Sequence, residues 1–225
     1  MNSFQPYRPQ YHILVEGNIA VGKSTFVKRL EHKLGLNAKV FTEPLDHWIN
    51  FNGTNLLQEA YLNPSSCSFR FQTFVQLSIG VIQYQQVHQP IKIMERSLGS
   101  GRYVFTEALK VKGHLTQTEY DILNEWQQWL IQISPHTDEI VYLRASPETV
   151  LKRLKVRNRD EESGVDIEYL RLLHELHERW LISDEILSPP VRVIDMDQSL
   201  ESTNEAADNL AQELTDKIFP HLLLQ

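Results

Sequence analysis

Residues Gly17-Asn18-Ile19-Ala20-Val21-Gly22-Lys23-Ser24, followed by Thr25, fit G-x-x-x-x-G-K-[ST] at every fixed position. In such a loop the glycines let successive backbone N–H groups turn toward phosphate oxygens. The lysine brings positive charge to the outer phosphates, and the serine hydroxyl can ligate Mg²⁺. The apolar run Tyr11-His12-Ile13-Leu14-Val15 precedes the loop and a helix-period stretch follows it. A glycine-bearing turn with a surface lysine would need neither that context nor four fixed positions, so phosphate binding is the expectation.

Two further carboxylates fall at the ends of apolar runs. Glu43 closes Lys39–Thr42 and precedes Pro44, which disfavours helical geometry at Glu43 and lets the chain leave the run extended. Glu95 and Arg96 close Ile91-Lys92-Ile93-Met94 in the same manner. A positioned base helps an acceptor hydroxyl, an acid beside a phosphate loop can hold Mg²⁺ or its water, and an arginine can neutralise transferred charge. Solvated strand-end acids and a neighbouring ion pair are the plain alternatives, and the phosphate loop weighs against them.

The elements that must deliver these groups follow from hydrophobic periodicity. Short apolar runs at Ile13–Glu16, Lys39–Thr42, Ile91–Met94, Glu139–Leu143 and Val191–Ile194 alternate with helix-period stretches. This predicts an α/β fold with a five-stranded parallel sheet flanked by helices on both faces, and ligands at the carboxyl ends of the strands. Helices are expected over 66–86, over 116–133 from a Thr116-to-Glu119 capping box, over 167–180 and over 206–218. The densely charged span 152–163 is expected between two helices. No internal repeat or long linker divides the 225 residues, which read as one domain.

Composition narrows the function class. Formal charge is 22 − 29 = −7, which argues against a chain that grips polymeric nucleic acid by neutralising phosphates. Cys67 is the only cysteine, so no intrachain disulfide can form, and it has no basic partner in sequence to mark an activated thiol. No apolar run approaches the length of a membrane span, and Met1–Gln10 carries neither a signal core nor an amphipathic presequence. A cytoplasmic protein is expected, with a nuclear fraction compatible. His174-Glu175-Leu176-His177 spaces its histidines by three where the zinc motif needs four, and reads as one polar helix face.

Taken in order, Glu16–Thr25, Glu43-Pro44 with Trp48, Phe71-Gln72-Thr73, Glu95-Arg96-Ser97 with Ser100 and Arg102, and Arg157-Asn158-Arg159 with Glu161-Glu162 resemble the deoxyribonucleoside kinase family. That group includes the deoxycytidine kinases, mitochondrial thymidine kinase and the multisubstrate insect enzyme. The similarity runs from about residue 11 to about 182. It implies a P-loop kinase fold with an arginine-rich lid at 152–163, transfer of the γ-phosphoryl of ATP to the 5′-hydroxyl of a deoxyribonucleoside, and a homodimer built on two long helices. By position, Glu43 would be the base and Arg96 its partner at the 5′-oxygen. Glu95 and Ser24 would serve Mg²⁺, and Lys23 with Arg153, Arg157 and Arg159 the donor phosphates. Tyr61 and Glu162 would hold the sugar, Gln72 would read the base edge, and Phe105, Phe71 and Trp48 would close the pocket. From the residues alone, Phe71 and Phe105 read equally well as core, and the arginines as a solvated helix end paired to Asp160, Glu161 and Glu162.

The positions tied to base choice, Val75, Ile79 and Gly101, are uncharged here. The resemblance then implies pyrimidine deoxynucleosides first, thymidine and deoxycytidine both, with weaker purine use. Gly99 and Gly101 are expected to widen and loosen that wall. Asp195–Leu200 falls where the donor-base loop would be, without assignable roles. Two other readings compete. A nucleoside monophosphate kinase of the thymidylate kinase type would need a basic residue for the acceptor's phosphate and has no use for Glu43 as a base. A nucleotide switch or ATPase would show N-K-x-D or D-x-x-G segments, which are missing.

Overall fold

The computed structural model describes residues 11–183, 186 and 188–220, so the amino-terminal stretch read above for a presequence lies outside it. Five strands, β1 (Tyr11–Gly17), β2 (Ala38–Phe41), β3 (Ile91–Glu95), β4 (Glu139–Arg144) and β5 (Val191–Asp195), form one all-parallel sheet in the order β2-β3-β1-β4-β5. Each matches an expected run to within two residues at either end. The middle strands read as continuous apolar runs because both faces are covered: Ile13, Val15, Ile91, Ile93, Val141 and Leu143 have no exposed surface.

The helices are α1 (Lys23–Leu34), α2 (Leu45–Ile49), α3 (Leu56–Leu62), α4 (Pro64–Tyr84), α5 (Leu98–Ser100), α6 (Glu107–Val111), α7 (Gln117–Ile133), α8 (Pro147–Arg157), α9 (Ile167–Leu181) and α10 (Leu200–Ile218). Helix α4 starts earlier than expected, at Pro64, whose fixed φ and missing N–H suit the first helical position. Its carboxyl end is closed by Lys92 of β3, whose buried ammonium donates to the carbonyls of Ile82, Gln83 and Gln85 at 2.8, 2.9 and 2.6 Å. Burial lowers that amine to about 8. The Thr116–Glu119 capping box of α7 forms as expected.

Residues 98–111, not assigned to an element from sequence, form one helical run in which Gly101–Thr106 widen into a π-helical turn between α5 and α6. Two expectations are corrected. Helix α10 begins at Leu200, capped by Ser199, six residues before its apolar stripe becomes regular. The 152–163 span does not lie between helices as a unit. Arg153 and Arg157 belong to the last turns of α8, where cations suit the helix dipole, and the helix ends only at Asn158 in the left-handed conformation (φ 47°).

Strand order places β1 beside both β3 and β4, so the chain after β1 and the chain after β3 leave the sheet in opposite directions. The crevice at such a switch point is where open α/β sheets take their ligands. Gly17 and Glu95 end the two strands that flank it.

Candidate active site

The phosphate loop departs from ordinary backbone at three points. Gly17 has φ 146°, and a Cβ there would sit 2.5 Å from the Leu143 carbonyl oxygen, so only glycine lets β1 turn this close to β4. Ala20 (φ 57°) and Gly22 (φ 115°) then turn the chain into α1. Gly17 and Asn18 shape the loop from behind and do not line the cavity. Asn18 is buried, donates from Nδ2 to the Leu170 carbonyl on α9 at 2.9 Å, and accepts from the Ile19 N–H at 2.8 Å.

A cavity of about 770 Å³ opens over the carboxyl ends of β1 and β3. Ile19–Thr25 form one end of its wall, and Glu43, Glu95 and Arg96 stand in the middle. Trp48, Tyr61, Phe71, Gln72, Val75, Ile79, Gly101, Phe105 and Glu162 line the rest, and Arg153, Arg157 and Arg159 stand at its edge. Every expected substrate-contacting residue thus shares one cavity with the phosphate loop.

The middle of the cavity is a cluster of opposite charges. Arg96 has φ 65°, a conformation that non-glycine residues seldom hold, kept here by its backbone N–H to the Val15 carbonyl at 3.0 Å. Its Nε donates to Glu43 Oε1 at 2.6 Å, another guanidinium nitrogen donates to the Gly17 carbonyl at 3.1 Å, and its carbon lies 4.6 Å over the Phe105 ring. Burial works against this charge, yet Glu43, Glu16 and Glu95 more than offset it and hold the guanidinium above its ordinary range. Lys23 is buried too, which lowers it to about 8, and its ammonium donates to the carbonyls of Gly17 and Asn18 at 3.1 and 2.8 Å.

Ser24 Oγ donates to Glu95 Oε1 at 2.9 Å, while Glu95 Oε2 is buried without a partner. One hydroxyl, one carboxylate with an orphaned oxygen and the oxygens of a bound nucleotide are the donor set Mg²⁺ takes in phosphate-transfer sites, so these residues fit that ion. The residue pairing at the cavity edge is specific. Glu162 accepts from Arg157 and, at 3.1 Å, from Arg159. Arg153 is spent otherwise, donating to the carbonyls of Val21 and Met196 at 2.8 and 2.7 Å, which ties the phosphate loop to the turn after β5.

Trp48 donates from its indole to Ser78 Oγ at 2.9 Å and meets the Phe71 ring edge-to-face at 5.8 Å, fixing α2 on α4. Burial, with Tyr169, Glu162 and Glu43 nearby, holds the Tyr61 phenol well above its ordinary range, so it stays a neutral donor. Gln72 Oε1, and both amide atoms of Gln76 one turn on, are buried without partners.

Sequence reasoning missed several wall residues. Tyr169 of α9, raised to about 12 by burial, reads in sequence as one more polar-face residue of an amphipathic helix. Leu200, Thr203 and Asn204 extend the cavity onto the first turns of α10, a signal hidden because that helix was started too late. Glu16 was quoted only as motif context, but it is fully buried, accepts from Ser97 Oγ at 2.6 Å, and is raised to about 7 by burial.

The two glycines of the 98–111 run separate. A Cβ on Gly99 would lie 2.5 Å from the Trp180 ring, so this glycine packs α5 tightly on α9 and loosens nothing. A Cβ on Gly101 would meet only Gln127 Nε2 within 4 Å, at a tight 3.1 Å, so this wall is closely backed by a single side-chain atom.

Known proteins resemble this chain over most of its length. Human mitochondrial thymidine kinase 2 is 38% identical over 192 residues, 84% of this chain and 72% of the relative. Deoxyguanosine kinase of Xenopus laevis mitochondria is 35% identical over 226 residues (87% and 85%), and human deoxycytidine kinase 34% over 226 residues (86% and 86%). The deoxynucleoside kinase family model matches residues 13–219, and with a P-loop kinase sheet presenting Glu43, Arg96, Lys23 and Glu95 to one cavity, the chain belongs to the deoxynucleoside kinase family.

Proposed function

We propose that this cavity phosphorylates the 5′-hydroxyl of a deoxyribonucleoside with ATP as donor, in nucleoside salvage. The observation that carries the reading is the Glu43–Arg96 pair, 2.6 Å apart in mid-cavity beside the phosphate loop. Glu43 takes the proton as the 5′-oxygen forms its bond to the γ-phosphorus, the bridging oxygen leaves with ADP, and Arg96 keeps the carboxylate aimed and balances the charge that develops. Lys23 exchanges its loop carbonyls for phosphate oxygens. Ser24 and Glu95 would hold Mg²⁺, which when bound neutralises charge on the donor phosphates.

Glu162 has two duties in this reading. With Tyr61 it holds the sugar 3′-hydroxyl, and until the donor arrives it is the counter-ion of Arg157 and Arg159, which then turn to phosphate. Gln72 reads the base edge above Phe105, and the uncharged Val75, Ile79 and Gly101 favour pyrimidines over purines.

The carboxylates around the transfer point argue against a monophosphate acceptor. Glu43, Glu95 and Glu16 already engage Arg96, which commits that cation to the transfer point and not to a phosphate on the acceptor. A panel of four deoxynucleosides, their ribose counterparts and thymidine monophosphate, with ATP and Mg²⁺, tests the reading by kcat/KM. Turnover confined to the monophosphate, or ATP hydrolysis indifferent to any nucleoside, would remove it.

A second copy of the chain suits the surface formed by α4 and α7. Leu77 and Val81 on α4, with Ile122, Trp126, Trp129 and Ile133 on α7, are 46 to 62% exposed on neighbouring helices. We take this face as the homodimer contact. Among the described residues no helix is long and apolar enough to cross a membrane.

A further inference from the structure

Glu16 carries a carboxyl group that neither the phosphate loop nor the transfer step uses. It stands behind the cavity wall with no exposed surface, and its Oε2 is buried without a hydrogen-bond partner. A carboxyl group is costly to bury unless its partners offset the lost hydration, so one placed here asks what it serves. Its Oε1 accepts from Ser97 Oγ at 2.6 Å, the length of a hydrogen bond from a hydroxyl to a charged oxygen. The cations whose charge acts on it are Arg96 and Lys23.

Ser97 does line the cavity, yet its hydroxyl is taken up by the protein itself. Its one hydrogen goes to Glu16, and its oxygen accepts from the backbone N–H groups of Gly99 and Ser100 at 3.0 and 3.4 Å, which caps α5. Ser100 Oγ donates in turn to the Ser97 carbonyl at 3.1 Å. The residue before this cap is Arg96, at φ 65°, a conformation that persists only where the surroundings impose it. Two bonds bracket that bend, and both end on β1: the Arg96 N–H on the Val15 carbonyl, and the Ser97 hydroxyl on the Glu16 carboxylate.

Resting on the acceptor reading above, we infer that Glu16 is a positioning residue for phosphoryl transfer: through Ser97 it fixes the bend that aims the Arg96 guanidinium at Glu43. Strand β1 then sets both ends of the reaction. Gly17, the next residue, starts the phosphate loop, and its carbonyl accepts from Arg96 and from Lys23 at 3.1 Å each. Without the Ser97–Glu16 bond the left-handed bend relaxes toward ordinary backbone, and Arg96 Nε leaves its 2.6 Å contact with Glu43. Small displacements matter at that point, because an aligned transfer loses rate steeply with a misplacement of about 1 Å. Nucleoside binding suffers less, since in the same reading the sugar and base are held by Tyr61, Glu162 and Gln72. What Ser97 needs from residue 16 is an acceptor at Oε1, which an amide carbonyl also supplies.

The test is a split between kcat and KM. Glu16→Leu, which fills similar space without an acceptor, and Ser97→Ala should each lower kcat roughly ten-fold or more while moving nucleoside KM by less than about three-fold. Glu16→Gln, whose carbonyl still accepts the hydroxyl, and Ser97→Thr, which keeps that hydroxyl, should recover most of the loss. The double variant Glu16→Leu with Ser97→Ala should be no slower than either single one, as for two groups acting through one bond. A second readout needs no turnover. The Arg96 Nε–H resonance, assigned by its loss in Arg96→Lys, should resist solvent exchange in the unaltered protein and in Glu16→Gln, and exchange freely in Glu16→Leu and Ser97→Ala. Thermal melting checks folding, and the Ser97 variants carry the test if Glu16→Leu does not fold. Unchanged kcat or unchanged exchange in folded Ser97→Ala, KM rising as far as kcat falls, or Glu16→Gln as slow as Glu16→Leu overturns the inference. Failure of the acceptor reading looks different, since no nucleoside would then be phosphorylated while the Arg96 resonance still responds to Ser97→Ala.

Discussion

Glu43 and Arg96 reach each other from the ends of different strands, and Arg96 Nε donates to Glu43 Oε1 at 2.6 Å with both side chains largely out of water. A carboxylate so held is aimed before any substrate arrives. Glu43→Gln keeps the volume and removes the base, so kcat should fall roughly 10²-fold or more with nucleoside affinity retained. Isothermal titration beside steady-state rates checks this. Unchanged turnover takes Glu43 out of the proton transfer.

The double duty of Glu162 predicts an effect that depends on the sugar. Glu162→Gln should raise KM for deoxynucleosides by about ten-fold, as loss of a charged hydrogen bond does. The same variant should handle a 2′,3′-dideoxynucleoside as the unaltered protein does. Equal losses for both sugars would place Glu162 with the arginines alone.

Two buried groups set opposite pH dependences of stability. His177 is fully buried, donates from Nδ1 to the Leu173 carbonyl at 2.6 Å, and is lowered from 6.5 to about 3 by burial. Its folded state refuses a proton that the unfolded chain accepts, so its contribution is whole above 6.5 and is lost as pH falls toward 3. Glu16, raised from 4.5 to about 7 by burial, acts the other way, and its contribution declines as pH rises from 4.5 to about 7. Urea midpoints between pH 7 and 5 should fall more steeply in Glu16→Gln than in the unaltered protein. In His177→Gln they should flatten or rise. Parallel profiles in all three proteins would refute both assignments.

Gly99 and Gly101 should respond differently to one added methyl. Gly99→Ala drives a Cβ to 2.5 Å from the Trp180 ring and should cost about 1–3 kcal/mol, read from denaturant unfolding. Gly101→Ala, on helical backbone (φ −55°, ψ −46°) and crowding only the Gln127 amide nitrogen at 3.1 Å, should cost less, within about 1 kcal/mol, and change base selection.

The five strands and the phosphate loop were legible in sequence because apolar runs bounded by glycine, proline and charge have few other uses. Glu43 and Glu95 were legible for the same reason, since a carboxylate ending such a run lands on the ligand edge. Residues 98–111 were not, because Gly99 and Gly101 weaken any helical signal in sequence, and their helicity comes from packing on Trp180 and α7. Arg153 shows a second limit: spacing groups it with Arg157 and Arg159, and only the fold brings the Val21 and Met196 carbonyls to it. Gln127 was invisible, since a polar residue in an amphipathic helix is expected to face water, and here α7 turns it inward.

Lys92 lies at the other end of the helix that reads the base, 2% exposed and with its ammonium held by three carbonyls. Its amine is thereby shielded from acylating reagents that tag lysines in contact with water. Modification at this one position would report each occasion on which the end of α4 lifts from the sheet, giving a built-in reporter of local opening.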